Sequence, residues 1–430
     1  MFFKMIGVSI GMHYRGSLQA GILLLIIAAL ATAAVFFYLY IPTQPPIADE
    51  TGWTEEGLKS VLNANNEFAF DLYNKLSKEV NGNLVYSPYS IFSALTIVYE
   101  GAKGKTASEM RTTLHLPAAL TLRGNFGKLY NIINKTSNGC ELRTGNALWI
   151  QKDYPILDSY KNVVEKYYGA KSANLDFINE TERSRRIINS FIEEQTNGRI
   201  KELIPPDYLT EWTRMVITNA VYFSGEWKWQ FEPKNTRKMD FRTSDGKIAR
   251  VEMMRMNPED VEFYYADLHN LQLLELPYAN EKISMWIILP KNDLSEIEPI
   301  TLEKFQEWKK AAKKTELADI YIPKFEFTTK QELKDVLQNL GIREAFSEDA
   351  DFSGITDKKE LFIDFVIHQA YINVHEKGTE AAAATAVGMK LTAVPVFNVF
   401  KADHPFVFII QERETGVILF VGKVVNPISK

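Results

Sequence analysis

Two short motifs in this sequence contain residue types that serve in catalysis. Gly7-Val8-Ser9-Ile10-Gly11 has the spacing of a nucleophile elbow, in which a strained turn exposes a serine hydroxyl. No strand pattern precedes it and no suitable helix follows it, so we interpret this match as chance. His375-Glu376 begins like a zinc-binding helix motif, but Thr379 stands where the second histidine is needed. Neither motif predicts an enzyme.

The other histidines and the cysteine add no catalytic or metal-binding set. The single cysteine, Cys140, permits no disulfide within the chain. Phosphate-binding and dinucleotide-binding glycine loops are absent from the sequence. The six histidines show no metal-ligand spacing; they stand at positions 13, 115, 269, 368, 375 and 404. We therefore expect a protein that is not an enzyme and that carries no metal and no cofactor.

Charge and composition narrow the possible partners. The 430 residues carry a net charge of −5 and are 46% hydrophobic, as is typical of globular proteins. This charge predicts no nucleic-acid partner. Two basic clusters, Lys309-Lys310 with Lys313-Lys314 and Arg183 with Arg185-Arg186, fall in helical patterns. We interpret them as solvated helix faces, with a polyanion site as the alternative.

The N-terminal region predicts a transmembrane anchor over residues 18–40. This apolar run, as a helix, is long enough to cross a hydrocarbon core of about 30 Å. Basic residues precede it and acidic residues follow it, so the N-terminus (1–17) is expected in the cytoplasm and the remainder outside, extracellular or periplasmic. The alternative is a signal peptide, cleaved to give a secreted protein. Apolar residues continue to Tyr40, beyond the small residues that cleavage requires, which favours the anchor.

The rest of the chain is interpreted as a linker and one large domain. Residues 41–57 contain Pro45-Pro46 and predict a partly stiff linker. Residues 58–430 contain no further proline- and glycine-rich boundary. Helices and strands are intermixed there without a βαβ rhythm, which predicts an α+β fold with large mixed sheets.

Apolar periodicity places the elements of this domain. A helical stripe runs from Leu58 to Leu76, and Ser87-Pro88 has the N-cap and first-turn residues of a second helix. Further helices are predicted at residues 158–168, 182–195, 302–313 and 331–340. Strands are predicted at residues 215–223, 283–289, 317–323, 362–374, 406–411 and 417–424, the last two joined by a hairpin loop.

The segment after the predicted strand 362–374 is rich in alanine. It runs from Glu376 to Gly388 and contains four consecutive alanines. Helix propensity alone predicts a helix here. A strand directly precedes the segment, however, and residues 389–396 have strand and turn character, so the helical interpretation is not the only one.

This segment resembles the hinge of the reactive-centre loop in inhibitory members of the serpin family; its residues are Glu376-Lys377-Gly378-Thr379-Glu380-Ala381-Ala382-Ala383-Ala384-Thr385. Residues 83–91, 218–227, and 404–408 with 422–427 resemble other serpin segments in the same order. The resemblance covers essentially all of residues 58–430 and leaves out the anchor. It implies the serpin fold, in which large mixed β-sheets are surrounded by about eight or nine helices. The exposed reactive-centre loop would span about 376–398.

The resemblance implies an irreversible suicide-substrate inhibitor of serine proteases. A protease cleaves the loop and forms an acyl-enzyme, and the cleaved loop then inserts into the main sheet as a new strand. Small hinge residues suit this insertion because they fit between existing strands without overpacking. Strand alternation would direct Thr379, Ala381, Ala383 and Thr385 toward the core and Glu380, Ala382 and Ala384 to the other face.

The usual serpin spacing from Glu376 places the reactive bond at Thr392–Ala393. Leu391–Thr392 is the runner-up, and a bond after Lys390 is third. Thr392 implies a subtilisin- or elastase-like target, whereas Leu391 implies a chymotrypsin- or subtilisin-like one.

Two further residue groups match named regions of the family. Ser87, Ser90, Asn219 and His368 match the shutter, the cluster where the main sheet parts. Trp227 and Glu376 match the breach, where insertion starts. From strand alternation alone, His368 is a core histidine that needs hydrogen bonds, and Trp227 is a core packing residue.

A non-inhibitory serpin-fold binding or chaperone protein is the alternative function. The small residues at 378–386 favour inhibition, because non-inhibitory members usually depart from such a hinge. The expected partners are a target serine protease, held in a covalent acyl complex, and a membrane through residues 18–40. We expect a monomer.

Overall fold

The fold was obtained as a computed structural model that describes residues 47–134, 140–258, 260–379 and 398–429. The chain divides into two units, Met1–Pro46 and Ile47–Lys430, and every described residue belongs to the second. The predicted anchor, residues 18–40, and the linker up to residue 46 lie outside the described part.

Eight α-helices occur among the described residues, and three of them begin after a residue whose side chain caps the first turn. Thr54 accepts a hydrogen bond from the N–H of Gly57, and Ser87 accepts one from the N–H of Ser90 in front of Pro88. The helices are α1 (Glu55–Glu79), α2 (Pro88–Tyr99), α3 (Gly104–Thr113), α4 (Ala119–Asn134), α5 (Asp158–Tyr168), α6 (Thr181–Gln195), α7 (Leu302–Ala311) and α8 (Lys334–Leu340).

Seventeen strands form two large sheets within the same described ranges. They are β1 (Leu84–Tyr86), β2 (Cys140–Thr144), β3 (Ala147–Gln151), β4 (Lys171–Leu175), β5 (Met215–Glu226), β6 (Arg237–Arg242), β7 (Ile248–Met256), β8 (Glu262–Asp267), β9 (Leu271–Pro277), β10 (Ile283–Pro290), β11 (Lys313–Pro323), β12 (Phe325–Glu332), β13 (Phe365–His375), β14 (Gly378–Thr379), β15 (Asn398–Lys401), β16 (Phe406–Glu412) and β17 (Ile418–Val424).

The two sheets differ in size and strand order. The larger has ten strands in the order β1-β17-β16-β10-β9-β8-β11-β7-β6, with β15 paired to β11. The other, called the main sheet below, has seven strands in the order β12-β13-β14-β5-β3-β4, with β2 also paired to β5. Parallel pairs (β5 with β13, β3 with β4, β11 with β15) occur among antiparallel ones. This arrangement confirms the predicted α+β fold with mixed sheets.

Aromatic side chains join the two sheets in the core. Phe223 of β5 lies 5.9 Å from Phe420 of β17, measured between ring centroids. Phe325 of β12 lies 5.8 Å from Phe408 of β16. β10, β16 and β17 are buried along their whole lengths. Strands buried on both faces have continuous apolar runs, which explains why the sequence placed them well.

The sequence predicts no helix between residues 101 and 157, whereas α3 and α4 lie there. Only Thr106, Met110 and Thr113 of α3 are buried, so its apolar stripe is too sparse to detect. Gly124 and Gly127 lower the helix propensity of α4. Both helices are therefore stabilised by tertiary packing rather than by a local signal.

Residues 47–57, assigned to the linker by the sequence, are part of the folded body. α1 begins at Glu55, and Ala48 is only 3% exposed. Asn131 of α4 hydrogen-bonds the backbone of Ala48, and Asn125 accepts the N–H of Thr54 at 2.9 Å. The linker prediction rested on the neighbouring Pro45-Pro46, but these partners on α4 fix the backbone of residues 48–54.

Candidate functional site

The candidate site lies where the two central strands of the main sheet part. β5 and β13 pair in parallel from Val216 with Phe365 to Val221 with Ala370. Beyond this point β14 lies between them and pairs antiparallel with both: Thr379 is opposite Val374 of β13 and Gly225 of β5. The first residues of the predicted hinge are therefore already a strand in the middle of the main sheet.

Gly378 allows this close approach of three backbones. A Cβ atom at position 378 would lie 2.1 Å from the carbonyl oxygen of Gly225 and 2.7 Å from Cα of Glu226. These neighbours are backbone atoms of a central strand and have no room to move. A side chain at position 378 is thus incompatible with β14 as the structure has it.

Thr379 points into the core, as strand alternation predicted. Its side chain is 1% exposed, and its Oγ1 lies 2.9 Å from the hydroxyl of Tyr278. Tyr278 stacks on Trp227 with ring centroids 4.6 Å apart. The indole N–H of Trp227 donates to the carbonyl of His375 at 3.0 Å. Trp227, predicted for the breach, therefore contacts the strand that precedes the hinge.

Tyr278 was missed by the sequence analysis. It directly follows β9 of the other sheet, and no local pattern around it distinguishes it from an ordinary core tyrosine. Only the approach of the two sheets brings its hydroxyl to Thr379.

Glu376 is held at the turn between β13 and β14. Thr236 donates its hydroxyl to Oε1 at 2.8 Å, and Nζ of Lys324 lies 3.3 Å from Oε2. Burial by itself raises the pKa of this carboxyl, but a backbone hydrogen bond, Thr236 and Lys324 together outweigh it and leave the pKa below its usual value. Thr236 and Lys324 were also missed, because each is distant in sequence from the hinge.

The four residues predicted for the shutter lie together beneath the parting strands. The backbone N–H of Ser87 donates to Nε2 of His368 at 3.1 Å, so this nitrogen is the acceptor. The other ring nitrogen, Nδ1, therefore carries the proton and donates to Oδ1 of Asn219. Nδ2 of Asn219 donates to Oγ of Ser90 at 2.7 Å.

Asn146 completes this group and was not predicted. Its Oδ1 accepts from the Ser90 hydroxyl at 2.9 Å and from Nδ2 of Asn219 at 2.6 Å. It lies between β2 and β3, outside every strand that the sequence analysis had placed. We call Ser87, Ser90, Asn146, Asn219 and His368 the polar cluster. It links α2, β5 and β13 by hydrogen bonds whose directions are mutually consistent.

Burial fixes His368 in its neutral form. The side chain is fully buried, and this loss of solvation lowers its pKa to about 3. A protonated imidazole would also present an N–H to the Ser87 N–H, which cannot accept it. The polar cluster is therefore intact only while His368 is uncharged.

Several predicted residues lie outside the described ranges. These are hinge residues Glu380, Ala381, Ala382, Ala383, Ala384 and Thr385 and the reactive-bond candidates Leu391, Thr392 and Ala393. Among the described residues, no group of three or more histidine, cysteine, aspartate or glutamate side chains could hold a metal ion. In the same part of the chain, no helix is both long and apolar enough to cross a membrane.

Comparisons with known proteins agree with this fold. A family model described as Serpin (serine protease inhibitor) matches residues 63–427. An uncharacterized serpin-like protein from the archaeon Methanosarcina mazei is 42% identical over 377 residues, covering 85% of this chain and 87% of that protein. Human Serpin B3 is 35% identical over 394 residues, covering 86% of this chain and 100% of that protein.

Solved structures superpose on this one over most of its length. Serpin48 of the insect Tenebrio molitor superposes with a TM-score of 0.75 at 31% identity, covering 87% of this chain and all (100%) of that one. Human thyroxine-binding globulin complexed with thyroxine superposes with a TM-score of 0.79 at 30% identity, covering 87% of this chain and 100% of its own. Many serpins are protease inhibitors rather than enzymes, and some are not inhibitory. On its fold, its matched residues and these relatives, the chain belongs to the serpin family.

Proposed function

We propose that this protein is an irreversible suicide-substrate inhibitor of serine proteases. A subtilisin-, elastase- or chymotrypsin-like protease attacks the loop at about 376–398 and becomes an acyl-enzyme. The loop then inserts between β5 and β13, and the protease is trapped before it can deacylate.

One observation carries this proposal: β14 already pairs with both β5 and β13. Insertion then only extends an existing strand, and β5 and β13 must separate over Val216–Val221 and Phe365–Ala370. Each residue added forms ladder hydrogen bonds to its new neighbours. The β5–β13 ladder bonds are replaced by bonds from both strands to the new one, and a net gain of roughly a dozen bonds, at about 0.5–1.5 kcal/mol each, favours insertion by on the order of 10 kcal/mol.

The reactive bond is proposed as Thr392–Ala393, with Leu391–Thr392 as the alternative. The polar cluster is proposed to act as the shutter, since it hydrogen-bonds both strands that must part. Trp227 and Glu376 are proposed as the breach. Residues 18–40 are proposed as a membrane anchor that leaves the inhibitory domain extracellular or periplasmic; secretion after cleavage is the alternative. No cofactor is needed.

A non-inhibitory binding protein is the second candidate. Two observations favour it: a structural neighbour is thyroxine-binding globulin in complex with thyroxine, and a cavity of about 480 Å³ opens beside α7. Trp286, Lys309 and Arg413 line this cavity together with Glu275, whose carboxylate pairs with Arg413 at 2.9 Å, so the walls carry apolar, basic and acidic groups. Pockets of this volume accept small molecules. The small-residue hinge is the reason that inhibition remains our first proposal.

The decisive experiment mixes the full chain, in a mild detergent, with subtilisin, chymotrypsin, elastase and trypsin. An SDS-stable complex together with a released peptide that begins at Ala393 is expected. A peptide that begins at Thr392 would move the reactive bond to the alternative. Cleavage within the loop without any stable complex would reject inhibition in favour of a binding role.

A further inference from the structure

The segment immediately before α1 is bound across α4 and α5. We call residues 48–54 the strap. Both amide atoms of Asn131 bind one strap residue: Oδ1 accepts the N–H of Ala48 at 2.9 Å, and Nδ2 donates to its carbonyl at 2.8 Å. The Ala48 side chain is buried. The N–H of Asp49 donates to the carbonyl of Lys166 at the end of α5 at 2.7 Å.

Two glycines of α4 make room for the strap. A Cβ atom on Gly124 would lie 2.4 Å from the carbonyl oxygen of Thr51, and one on Gly127 would lie 2.2 Å from that of Asp49. At both positions the three nearest atoms all belong to the strap. A glycine inside a helix costs about 1 kcal/mol relative to alanine. α4 therefore has glycine, at a cost in helix stability, at two positions where a side chain would collide with the strap.

Charge complements this fit. Nζ of Lys166 lies 2.9 Å from a carboxylate oxygen of Asp49, and Nζ of Lys128 lies 3.4 Å from one of Glu50. Lys128 also lies over the ring of Trp53, 4.7 Å from its centroid. The N–H of Trp53 donates to the carbonyl of Glu50 across a turn. The groove between α4 and α5 therefore recognises a peptide with a small residue, two acidic residues and an aromatic residue after a turn.

On the proposed function, insertion displaces the β5 side of the main sheet, and the strap connects α1 to helices on that side. α1, which continues the strap, is fixed to the other sheet: Asn66 donates to the carbonyl of Gly416 at 2.8 Å and accepts from the N–H of Ile418 at 2.9 Å. α5 lies between β3 and β4 in the chain, and both strands are on the β5 side of the parting line. A strap bound to α4 and α5 consequently resists the displacement of that side.

We infer that the groove of α4 and α5 is a binding site for acidic peptide segments, occupied in this chain by its own residues 48–54, and that its occupancy slows the separation of β5 from β13. The effect on strand separation rests on the proposed function, whereas the peptide-binding site does not.

Two variants of the full chain, studied in detergent, test the strap and the groove independently. Ala48→Arg releases the strap and leaves the groove intact. The double variant Gly124→Ala/Gly127→Ala fills the groove, and each alanine favours the helix, so α4 remains folded. Gly82→Ala is the control, because a Cβ there meets nothing within 4 Å. Hydrogen exchange at residues 48–54 should become about tenfold faster in both test variants and unchanged in the control.

The binding test uses a fluorescein-labelled peptide that copies residues 47–54. Its affinity should be highest for Ala48→Arg and about tenfold lower for the wild type, whose groove is occupied, with no binding to the double glycine variant. A peptide with asparagine and glutamine in place of Asp49 and Glu50 should bind more weakly. Three results would each contradict the proposed peptide-binding groove. They are equal affinity for all chains, no binding to Ala48→Arg, and slow hydrogen exchange of the strap in both variants.

The insertion test measures uptake of a synthetic peptide that copies residues 379–391 into the main sheet. Both strap-released variants should take it up about tenfold faster than the wild type and Gly82→Ala. Equal rates in all four chains would overturn the effect of the strap on the sheet. Absence of uptake by every chain, the wild type included, would instead contradict the proposed function, while the peptide-binding result would stand by itself.

Discussion

At the scale of single residues, Thr379 is buried and its hydroxyl lies 2.9 Å from that of Tyr278. A side chain at this position must be small and uncharged in the present structure, and again after the loop has inserted, since its direction does not change. An arginine here would expel β14 from the present sheet, and insertion of the cleaved loop would then have to bury that charge, so position 379 tests the insertion mechanism.

Thr379→Arg is expected to convert the protein from an inhibitor into a substrate. An unpaired guanidinium between β5 and β13 costs several kcal/mol, about as much as a large part of the gain from insertion. Gel electrophoresis with the target protease should show cleaved chain and little SDS-stable complex. Glu380→Arg, at the next position, which strand alternation predicts for the opposite face, is the matched control. An unchanged stoichiometry of inhibition in Thr379→Arg would contradict insertion.

His368 predicts a pH dependence of stability. The unfolded chain binds a proton below the ordinary histidine pKa of 6.5, whereas burial delays protonation of the folded chain to about pH 3. The contribution is complete above pH 6.5 and is lost as the pH falls toward 3. Within this window the free energy of unfolding should decrease by up to about 1.4 kcal/mol per pH unit from this group.

His368→Gln removes the pH-dependent contribution of the imidazole to stability and therefore tests it. At pH 7.5 the variant should be less stable by about 1–3 kcal/mol, because Ser87 and Asn219 lose their partner. Between pH 6.5 and 4.5 its urea midpoint should change less with pH than that of the wild type. His269→Gln, at an exposed position, controls for the loss of a histidine. Parallel pH profiles for wild type and His368→Gln would show that the buried imidazole does not titrate as stated.

At the scale of elements, β14 depends on three backbones that approach closely. The strand has only two residues, and Gly378 is the one whose Cβ would meet the backbone of β5. Its formation is therefore controlled by a steric condition and not by strand propensity.

Gly378→Ala is expected to expel β14 from the main sheet. Amide exchange at Thr379 and Trp227, whose N–H groups lie in this region, should accelerate by about tenfold or more because local hydrogen bonds are lost. The exchange of β16 and β17 should not change. Gly82→Ala again serves as the control. Exchange at Thr379 as slow as in the wild type would mean that β5 yields to the added methyl group.

At the scale of the whole molecule, the proposed function implies a second arrangement with more strand pairs than the described one. β5 and β13 pair directly over six residue positions each, and the proposed function has the segment after β14 insert between them. On the proposed function, the main sheet with one more long strand would have the lower free energy because it gains ladder hydrogen bonds.

Cleavage of the reactive bond should therefore stabilise the protein. A gain on the order of 10 kcal/mol from the new strand corresponds to a rise in Tm of roughly 10 °C or more for a body of this size. Scanning calorimetry before and after limited cleavage with a non-target protease gives the comparison. If the Tm does not rise, the cleaved loop has stayed outside the main sheet, and the protein belongs with the non-inhibitory members.

The sequence by itself determined the features that depend on neighbours in the chain. Apolar periodicity placed β5, β10, β13, β16 and β17 within a few residues, and Ser87-Pro88 marked the start of α2. The small residues of the hinge were also visible without a structure. These features are local: alternation, capping and side-chain size act over a few residues.

Only the tertiary structure decided which distant residues meet. Tyr278, Thr236 and Lys324 at the hinge, and Asn146 in the polar cluster, come from elements far from their partners in sequence. Sheet register brings them together, and register depends on the packing of both sheets at once. The strap is a further example. Residues 48–54 resemble a linker in sequence, and contacts with α5 and with the glycines and asparagines of α4, more than seventy positions away, make them part of the body.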